Sequence, residues 1–250
     1  MDAPGPRLAL DELSWIDVAA HLAREPRLII PIGALEQHGP HLPLGANTRI
    51  ATRVAHSFAA RWGVLCAPTV NYGVNHDGGQ PRAGRAWAGT ASLRRKTMHR
   101  ALNELLDSWE SHGIAEFILI TAHRHGPHID ALTTLMTRSA RVRVISVWDV
   151  DVSDLLDSQT GPLHAGEAET SLMLHLCPGR VDMNRARDEP PRRRELDAES
   201  PVRPRPDGPG VVGYPTRATA TTGERIFERM LDIIGRAVFE ARETVDSDTL

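Results

Sequence analysis

The sequence predicts an α/β protein built around a mainly parallel β-sheet. Short apolar runs alternate along the chain with longer segments of helical periodicity, which is typical of βαβ units. The predicted strands are 27–33, 64–70, 116–121 and 142–150, and the predicted helices are 11–25, 48–61, 92–111, 129–140 and 222–244, with a further helix starting near 164. With 250 residues, 41% of them apolar, the chain can bury one substantial core, so we expect a single domain over 1–250.

Each element in the first half of the chain has its own signal. Leucine, isoleucine and alanine recur at helical spacing within 11–25, and the run Arg27-Leu28-Ile29-Ile30-Pro31-Ile32-Gly33 that follows is a short apolar strand ending in glycine. Residues 48–61 and 64–70 repeat this helix and strand pair. Residues 92–111 form a longer helical pattern, for which we predict Ser92 as the N-cap.

The second half of the chain continues the alternation. Residues 116–121 are an apolar run, 129–140 have helical spacing, and 142–150 are rich in β-branched residues. The segment 188–210 is rich in arginine, proline and glutamate, so we expect it to be a surface excursion. The helix 222–244 then closes the chain.

Composition and charge narrow the class of protein. The chain has 29 basic and 32 acidic residues, a formal net charge of −3, and this near balance argues against a nucleic-acid binder. Cys66 and Cys177 suit buried thiols better than a disulfide framework, although a bond between them stays open. The N-terminus has no leader pattern and no apolar run reaches membrane length, so we expect a cytoplasmic protein with no membrane partner.

Two pairs of polar residues follow predicted strands. Glu36 and His38 come after the first strand, and because they are two residues apart they lie on the same side of an extended chain. His123 and His125 repeat this spacing after the third strand. Ligands of α/β sheets bind beyond the carboxyl ends of the strands, and carboxylate with imidazole suits zinc, manganese or iron. The alternative for each pair is an ordinary polar loop. His41 and His128 either support the metal ligands, contact the substrate or are ordinary loop histidines.

A third candidate lies where the helix near 164 begins. Glu169 shares a helical stripe with Leu172, Met173 and Leu176, so its carboxylate should point inward, where it needs a cation. Glu167 lies off this stripe, and we expect it to be a solvated acid of the first turn. His164 either caps the helix or transfers a proton.

The run Pro31-Ile32-Gly33-Ala34-Leu35-Glu36-Gln37-His38-Gly39-Pro40-His41-Leu42-Pro43-Leu44 resembles the signature of the creatininase family. Gly89-Thr90, the His123 strand end and His164-Ala165-Gly166 with Glu169-Thr170-Ser171 recur in the family's order. The resemblance implies a three-layer α/β/α fold, a homo-oligomer that is often a hexamer, and one or two divalent metal ions, with zinc favoured over manganese or iron.

By the same resemblance, Glu36, His38 and His123 fall on metal-ligand positions. Glu169 falls on an acidic position beside the site and His164 on a proton-transfer position. The resemblance places Trp148 over the substrate. We also assign Arg124, His41 and Trp87 to substrate binding. Substrate specificity is expected in 75–87, which contains the cationic Arg82 and Arg85, and in 149–163.

Two positions depart from the family pattern. Asn47 stands where the family has an aspartate that bridges two metals, and His125 stands where creatininase has a carboxylate. Neutral ligands offset two dications poorly, so we expect a weakened second site and a single-metal enzyme.

The leading hypothesis is a metal-dependent amidohydrolase that cleaves a C–N bond of a small amide, lactam, cyclic amidine or short peptide by metal-activated water. The alternatives are a biosynthetic enzyme with a non-hydrolytic reaction, such as a cyclisation or dehydration, and a degenerate ligand-binding member of the family.

Overall fold

Four parallel strands form the sheet at the centre of the fold. In the computed structural model, which describes residues 8–75, 87–192, 204–205 and 208–240, they are β1 Arg27–Ile32, β2 Leu65–Cys66, β3 Glu116–Thr121 and β4 Arg141–Ser146. Their order across the sheet is β2-β1-β3-β4, and every pairing is parallel. The predicted parallel α/β architecture is confirmed.

The two central strands are covered on both faces. After their first residues, every residue of β1 and of β3 is buried, although neighbouring side chains point to opposite sides of a sheet. Parallel sheets have this pattern because helices pack on each face. The burial therefore matches the layered α/β/α arrangement.

Six α-helices surround the sheet: α1 Trp15–Leu22, α2 Ala46–Trp62, α3 Arg95–Glu110, α4 Gly126–Thr133, α5 Glu167–Leu176 and α6 Ala220–Gly235, counted over the described ranges. Short 3-10 turns occur at Leu10–Glu12, Val147–Asp149, Ser153–Leu155, Pro178–Arg180, Met183–Arg185 and Pro215–Arg217. A π-helical turn, Arg236–Glu240, follows α6.

Helix packing brings distant segments of the chain together. Helix α2 packs on β1 and β3, α3 packs on α4, and α5 packs on α6 and α2. The α5–α6 approach is close, because a Cβ added at Gly223 would lie 1.9 Å from the Ser171 carbonyl oxygen. Helix α5 is thus held against the sheet layer through α2, and its first turn reaches the strand ends.

Several predicted boundaries were wrong. Arg94, not Ser92, is the N-cap of α3, because the Ser92 hydroxyl accepts a hydrogen bond from the backbone N–H of Asn75 instead. Helix α4 starts three residues before the predicted 129, with Pro127 in its first turn, where a missing N–H costs nothing, and ends before 140. Strand β2 spans two residues rather than 64–70.

The last strand and the last helix also differ from the prediction. Strand β4 ends at Ser146, whose hydroxyl accepts a hydrogen bond from the backbone N–H of Trp148 and so starts a 3-10 turn. Helix α6 begins two residues early because the Thr219 side chain caps it, and its α-helical part ends at Gly235. Residues 241–244 of the predicted helix lie outside the described residues.

The remaining expectations concern the segment 188–210, the two cysteines and membrane-spanning helices. The predicted excursion 188–210 lies partly outside the described residues, so it stays a prediction, as does the single domain. Cys66 and Cys177 are both free thiols, and burial raises the pKa of Cys66 to about 12. Within the described ranges, no helix is long and apolar enough to cross a membrane.

Candidate metal centre

The candidate site lies where the strand order reverses. The chain runs from β1 outward to β2 and then returns to β3 on the other side of β1, so the crevice between β1 and β3 opens at their carboxyl ends. Glu36 and His38 follow β1, and His123 and His125 follow β3. All four are buried. The sheet thus brings together two pairs that are more than 80 residues apart in sequence.

Glu36 is at the centre of the cluster. One of its carboxylate oxygens, Oε1, lies 3.5 Å from Nδ1 of His123 and 3.5 Å from Nδ1 of His164. The ligand atoms of Glu36, His38 and His164 lie within 4.8 Å of one another. These separations are too long for good hydrogen bonds, and the grouping of Glu36, His38 and His164 is one that could hold a metal ion.

His38 presents a free ring nitrogen to this cluster. Its Nδ1 lies 3.0 Å from the Glu36 carbonyl oxygen, which can only accept, so Nδ1 carries the proton and Nε2 carries the lone pair. His38 is 0% exposed, and its Nε2 has no hydrogen-bond partner in the part of the chain that the structure describes. The nearest acidic atom to Nε2 is Oε2 of Glu169, at 3.6 Å. A lone pair and a carboxylate oxygen that face each other need a cation or a proton between them.

One backbone carbonyl orients both histidines beyond β3. The Val74 carbonyl oxygen lies 3.0 Å from Nε2 of His123 and 2.8 Å from Nδ1 of His125, and it can accept from both. Nδ1 of His123 is therefore the unprotonated nitrogen, and it points toward Glu36. Burial lowers the pKa of His123 to about 4, so the ring is neutral at pH 7, which is the state that ligates metals.

Asn47, at the start of α2, reaches the same point. Its Nδ2 lies 3.1 Å from Nδ1 of His123 and donates to that lone pair. Its Oδ1 is buried without a hydrogen-bond partner among the described residues. Buried amide oxygens are nearly always satisfied, so this orphan is a further acceptor directed into the cluster.

Glu169 and His164 come from the first turn of α5 and the residues before it. Glu169 is buried as predicted, and burial raises its pKa although His38 and a 2.7 Å hydrogen bond from the Ala165 N–H oppose that shift. Nε2 of His164 lies 2.9 Å from the carbonyl oxygen and 3.0 Å from the side-chain nitrogen of Gln37. Its Nδ1 faces Glu36.

The four predicted substrate residues differ in burial and in their contacts. His41 is buried with Nε2 2.9 Å from the Thr170 hydroxyl, and burial lowers its pKa to about 4. Trp148 is 4% exposed and donates its indole N–H to the Ala122 carbonyl, which supports the strand end beside His123. Arg124 is exposed, and its charge acts on Glu169. Trp87 is half-buried beside Gly210. Their contact with substrate stays a prediction.

One expectation was wrong and three contributors were missed. Glu167 is buried rather than solvated, because its carboxylate accepts hydrogen bonds from the backbone N–H groups of Asp157 and Ser158. The Val74 carbonyl had no sequence signal, because backbone carbonyls are alike at every residue, and Asn75 was noticed only as the first residue of the predicted specificity region. Gln37 lies inside the recognised motif and was there to be found. Arg82 and Arg85 lie outside the described residues.

The donor set fits a divalent metal ion. Carboxylate oxygens, imidazole lone pairs and an amide oxygen converge in a buried space, and the opposite ring N–H groups are fixed by backbone carbonyls, as is usual for histidines that ligate metals. The fold and this cluster define an α/β protein with a candidate metal centre at the switch point of its sheet. Open coordination at such a centre is typical of metal-dependent hydrolases.

Comparisons with known proteins identify the family. The family model described as Creatininase: Creatinine amidohydrolase matches residues 11–238. The chain belongs to this family and is a hydrolase of the creatininase type, as the sequence predicted.

Individual relatives agree with this assignment. The Mycofactocin precursor peptide peptidase of Mycobacterium ulcerans (strain Agy99) is 34% identical over 226 residues, covering 83% of this chain and 82% of that protein. The Creatinine amidohydrolase of Pseudomonas putida is 30% identical over 248 residues, covering 92% and 95%. A mutant creatininase described as Zn-Zn type superposes with a TM-score of 0.77 at 30% identity over 93% of this chain and 97% of that one.

Proposed function

We propose that this protein hydrolyses a C–N bond of an amide with the help of one bound divalent cation. The observation that carries the proposal is the unprotonated Nε2 of His38, which has no hydrogen-bond partner among the described residues and lies 3.6 Å from the Glu169 carboxylate. Acceptors this close repel one another when buried unless a cation lies between them.

Glu36, His38 and His123 are the residues that would hold the ion, with zinc as its identity. Their oxygen and nitrogen donors suit zinc, and the Zn-Zn description of the related creatininase supports the choice. When bound, such an ion polarises a carbonyl group and lowers the pKa of a coordinated water. Asn47 and His125 are neutral where two anionic ligands would favour a second dication, so we propose a mononuclear centre.

His164 is the proposed proton-transfer residue. Its Nδ1 faces Glu36, while its Nε2 lies within hydrogen-bond distance of both the carbonyl oxygen and the side-chain nitrogen of Gln37. Because the amide oxygen of Gln37 accepts from the Gly39 N–H, the Gln37 side chain is fixed. His164 can therefore take up or release a proton at Nδ1 without moving its ring, as a general acid or base requires.

A short peptide is the proposed substrate class. Two observations support it: relatives from mycobacteria bear the name of a peptide peptidase, and Arg124 offers an exposed positive charge between two residues of the site. An arginine at this position suits a substrate carboxylate. We further propose a homo-hexamer, which rests on the family resemblance.

The test compares bound metal and amide turnover in the wild-type protein and in His38→Ala. We expect about one zinc per wild-type chain by mass spectrometry of metals, and loss of both ion and activity in the variant. His56→Ala is the matched control, because His56 is exposed on α2. A metal-free wild-type protein, or full turnover in His38→Ala, contradicts the proposal.

A further inference from the structure

Asn75 makes three hydrogen bonds to two other segments of the chain. Its backbone N–H donates to the Ser92 hydroxyl at 2.9 Å. Its side-chain Nδ2 donates to the Leu35 carbonyl at 3.0 Å and to the Ala91 carbonyl at 2.9 Å. The residue is 3% exposed, so these bonds form out of contact with water. Asn75 therefore fixes its own segment against both partners.

Two of the residues in this network directly adjoin a proposed metal ligand or the group that orients one. Leu35 directly precedes Glu36. Val74 directly precedes Asn75, and its carbonyl orients both His123 and His125. A shift of the Asn75 backbone would therefore move the oxygen that selects the ring orientation of two histidines.

The chemistry of the side chain is specific. Two carbonyl oxygens must be satisfied by one short side chain, and among residues of this size only an amide nitrogen donates two N–H bonds. Serine could satisfy one carbonyl, and aspartate could satisfy neither. Oδ1 of Asn75 is buried with no hydrogen-bond partner in the described part of the chain, so the side-chain hydrogen bonds seen there are all made by the nitrogen.

We propose that Asn75 is a positioning residue for the metal centre. It ties the loop that carries Glu36 to the carbonyl that orients His123 and His125, and so sets the separation of ligands that come from two different strands. The inference rests on the proposed function. Loss of a group that orients metal ligands typically weakens metal affinity about 10- to 100-fold.

The test measures metal binding rather than activity alone. Zinc affinity is determined by competition with a chromophoric chelator for wild type, Asn75→Asp, Asn75→Ser and Asn75→Ala. Cobalt absorption spectra of the same four proteins report ligand geometry. We expect affinity to fall about 10- to 100-fold in Asn75→Asp and Asn75→Ala and less in Asn75→Ser, which keeps one donor, with altered cobalt spectra in the first two.

Asn103→Ala is the matched control. Asn103 also links separate segments, since its Oδ1 accepts from the Met136 N–H at 2.8 Å and its Nδ2 contacts His99, but it lies on α3. Its loss should lower thermal stability while leaving zinc affinity and the cobalt spectrum unchanged.

The outcomes separate the two proposals. If wild type binds zinc and folded Asn75→Asp and Asn75→Ser bind it equally well, the role of Asn75 is refuted and the proposed function stands. If affinity falls equally in Asn103→Ala, the effect is one of general stability and the role of Asn75 is again refuted. If wild type binds no zinc or cobalt, the proposed function itself fails.

Discussion

Replacing Asn47 by aspartate should have opposite effects on the metal-free and the metal-bound protein. Asn47 is 1% exposed, and its Nδ2 donates to Nδ1 of His123 at 3.1 Å. The substitution keeps the shape of the side chain but replaces the donor by a carboxylate, which then faces the lone pair of His123 and lies close to Glu36. Without metal, the variant therefore has one more buried carboxylate besides those of Glu36 and Glu169, and it has no donor in this direction.

The size of the effect follows from this burial. An uncompensated buried charge costs about 3 kcal/mol or more. For a domain of this length, each kcal/mol lowers the melting temperature by about 2–4 °C, so the metal-free variant should melt about 6–12 °C below wild type. With zinc, the carboxylate becomes an anionic ligand for a second ion. Zinc at about 100 times the dissociation constant of this second site stabilises the variant by about 2.7 kcal/mol, so its stability should return nearly to that of wild type.

The assay is thermal melting with and without zinc, together with the number of ions bound per chain. We expect about one zinc in wild type and about two in Asn47→Asp, with a larger zinc-induced rise in melting temperature for the variant. Asn71→Asp is the control, because it makes the same chemical change at an exposed position. Equal stoichiometry in the two proteins, or a metal-free variant as stable as wild type, would refute the reasoning.

Three further outcomes can be measured by thermal melting. Gly223→Ala should lower the free energy of unfolding by about 1–3 kcal/mol or more, because the new Cβ would lie 1.9 Å from a carbonyl oxygen of α5. Gly179→Ala is the control and should be neutral, because no atom lies within 4 Å of its added Cβ. Equal effects of the two substitutions would contradict the close packing of α5 on α6. The pKa of Glu110 is lowered from 4.5 to about 2, first by the backbone N–H of Arg138 and then by those of Ala140 and Ser139, so the deprotonated carboxylate stabilises the fold. Glu110→Gln should therefore melt at a lower temperature than wild type at pH 7, and this difference should vanish as the pH falls from about 4.5 to about 2. A difference in melting temperature that persists at pH 2 would exclude this cause. Chelation should lower the melting temperature of wild type and leave that of His38→Ala unchanged. If the ion was present at about 100 times its dissociation constant, the free energy of unfolding of wild type should fall by about 2.7 kcal/mol. An equal drop in both proteins would rule out His38 as a ligand.

Much of the candidate site could be predicted because its side chains follow strand ends at a spacing of two. The spacing singled out Glu36 with His38 and His123 with His125 as candidate ligand pairs, and the parallel sheet predicted that they meet. The family resemblance favoured a metal site over an ordinary polar loop. The inward direction of Glu169 followed from helical periodicity. Glu167 was misplaced by the same reasoning, because the stripe predicts only contacts with the sheet and not the loop of Asp157 and Ser158 that covers the helix start.

The sequence by itself determined the parallel α/β architecture, the family and the residue types at the candidate metal centre, since these depend on local periodicity and on a contiguous motif. Only the tertiary structure decided which ring nitrogen each histidine presents, because that choice is made by the carbonyl oxygens of Glu36 and Val74. It also decided that Asn75 bonds to the carbonyl of Leu35, next to Glu36, while the carbonyl of the adjacent Val74 contacts His123 and His125. Backbone carbonyls are chemically the same at every position, so no sequence pattern can tell which of them will face a histidine across the fold.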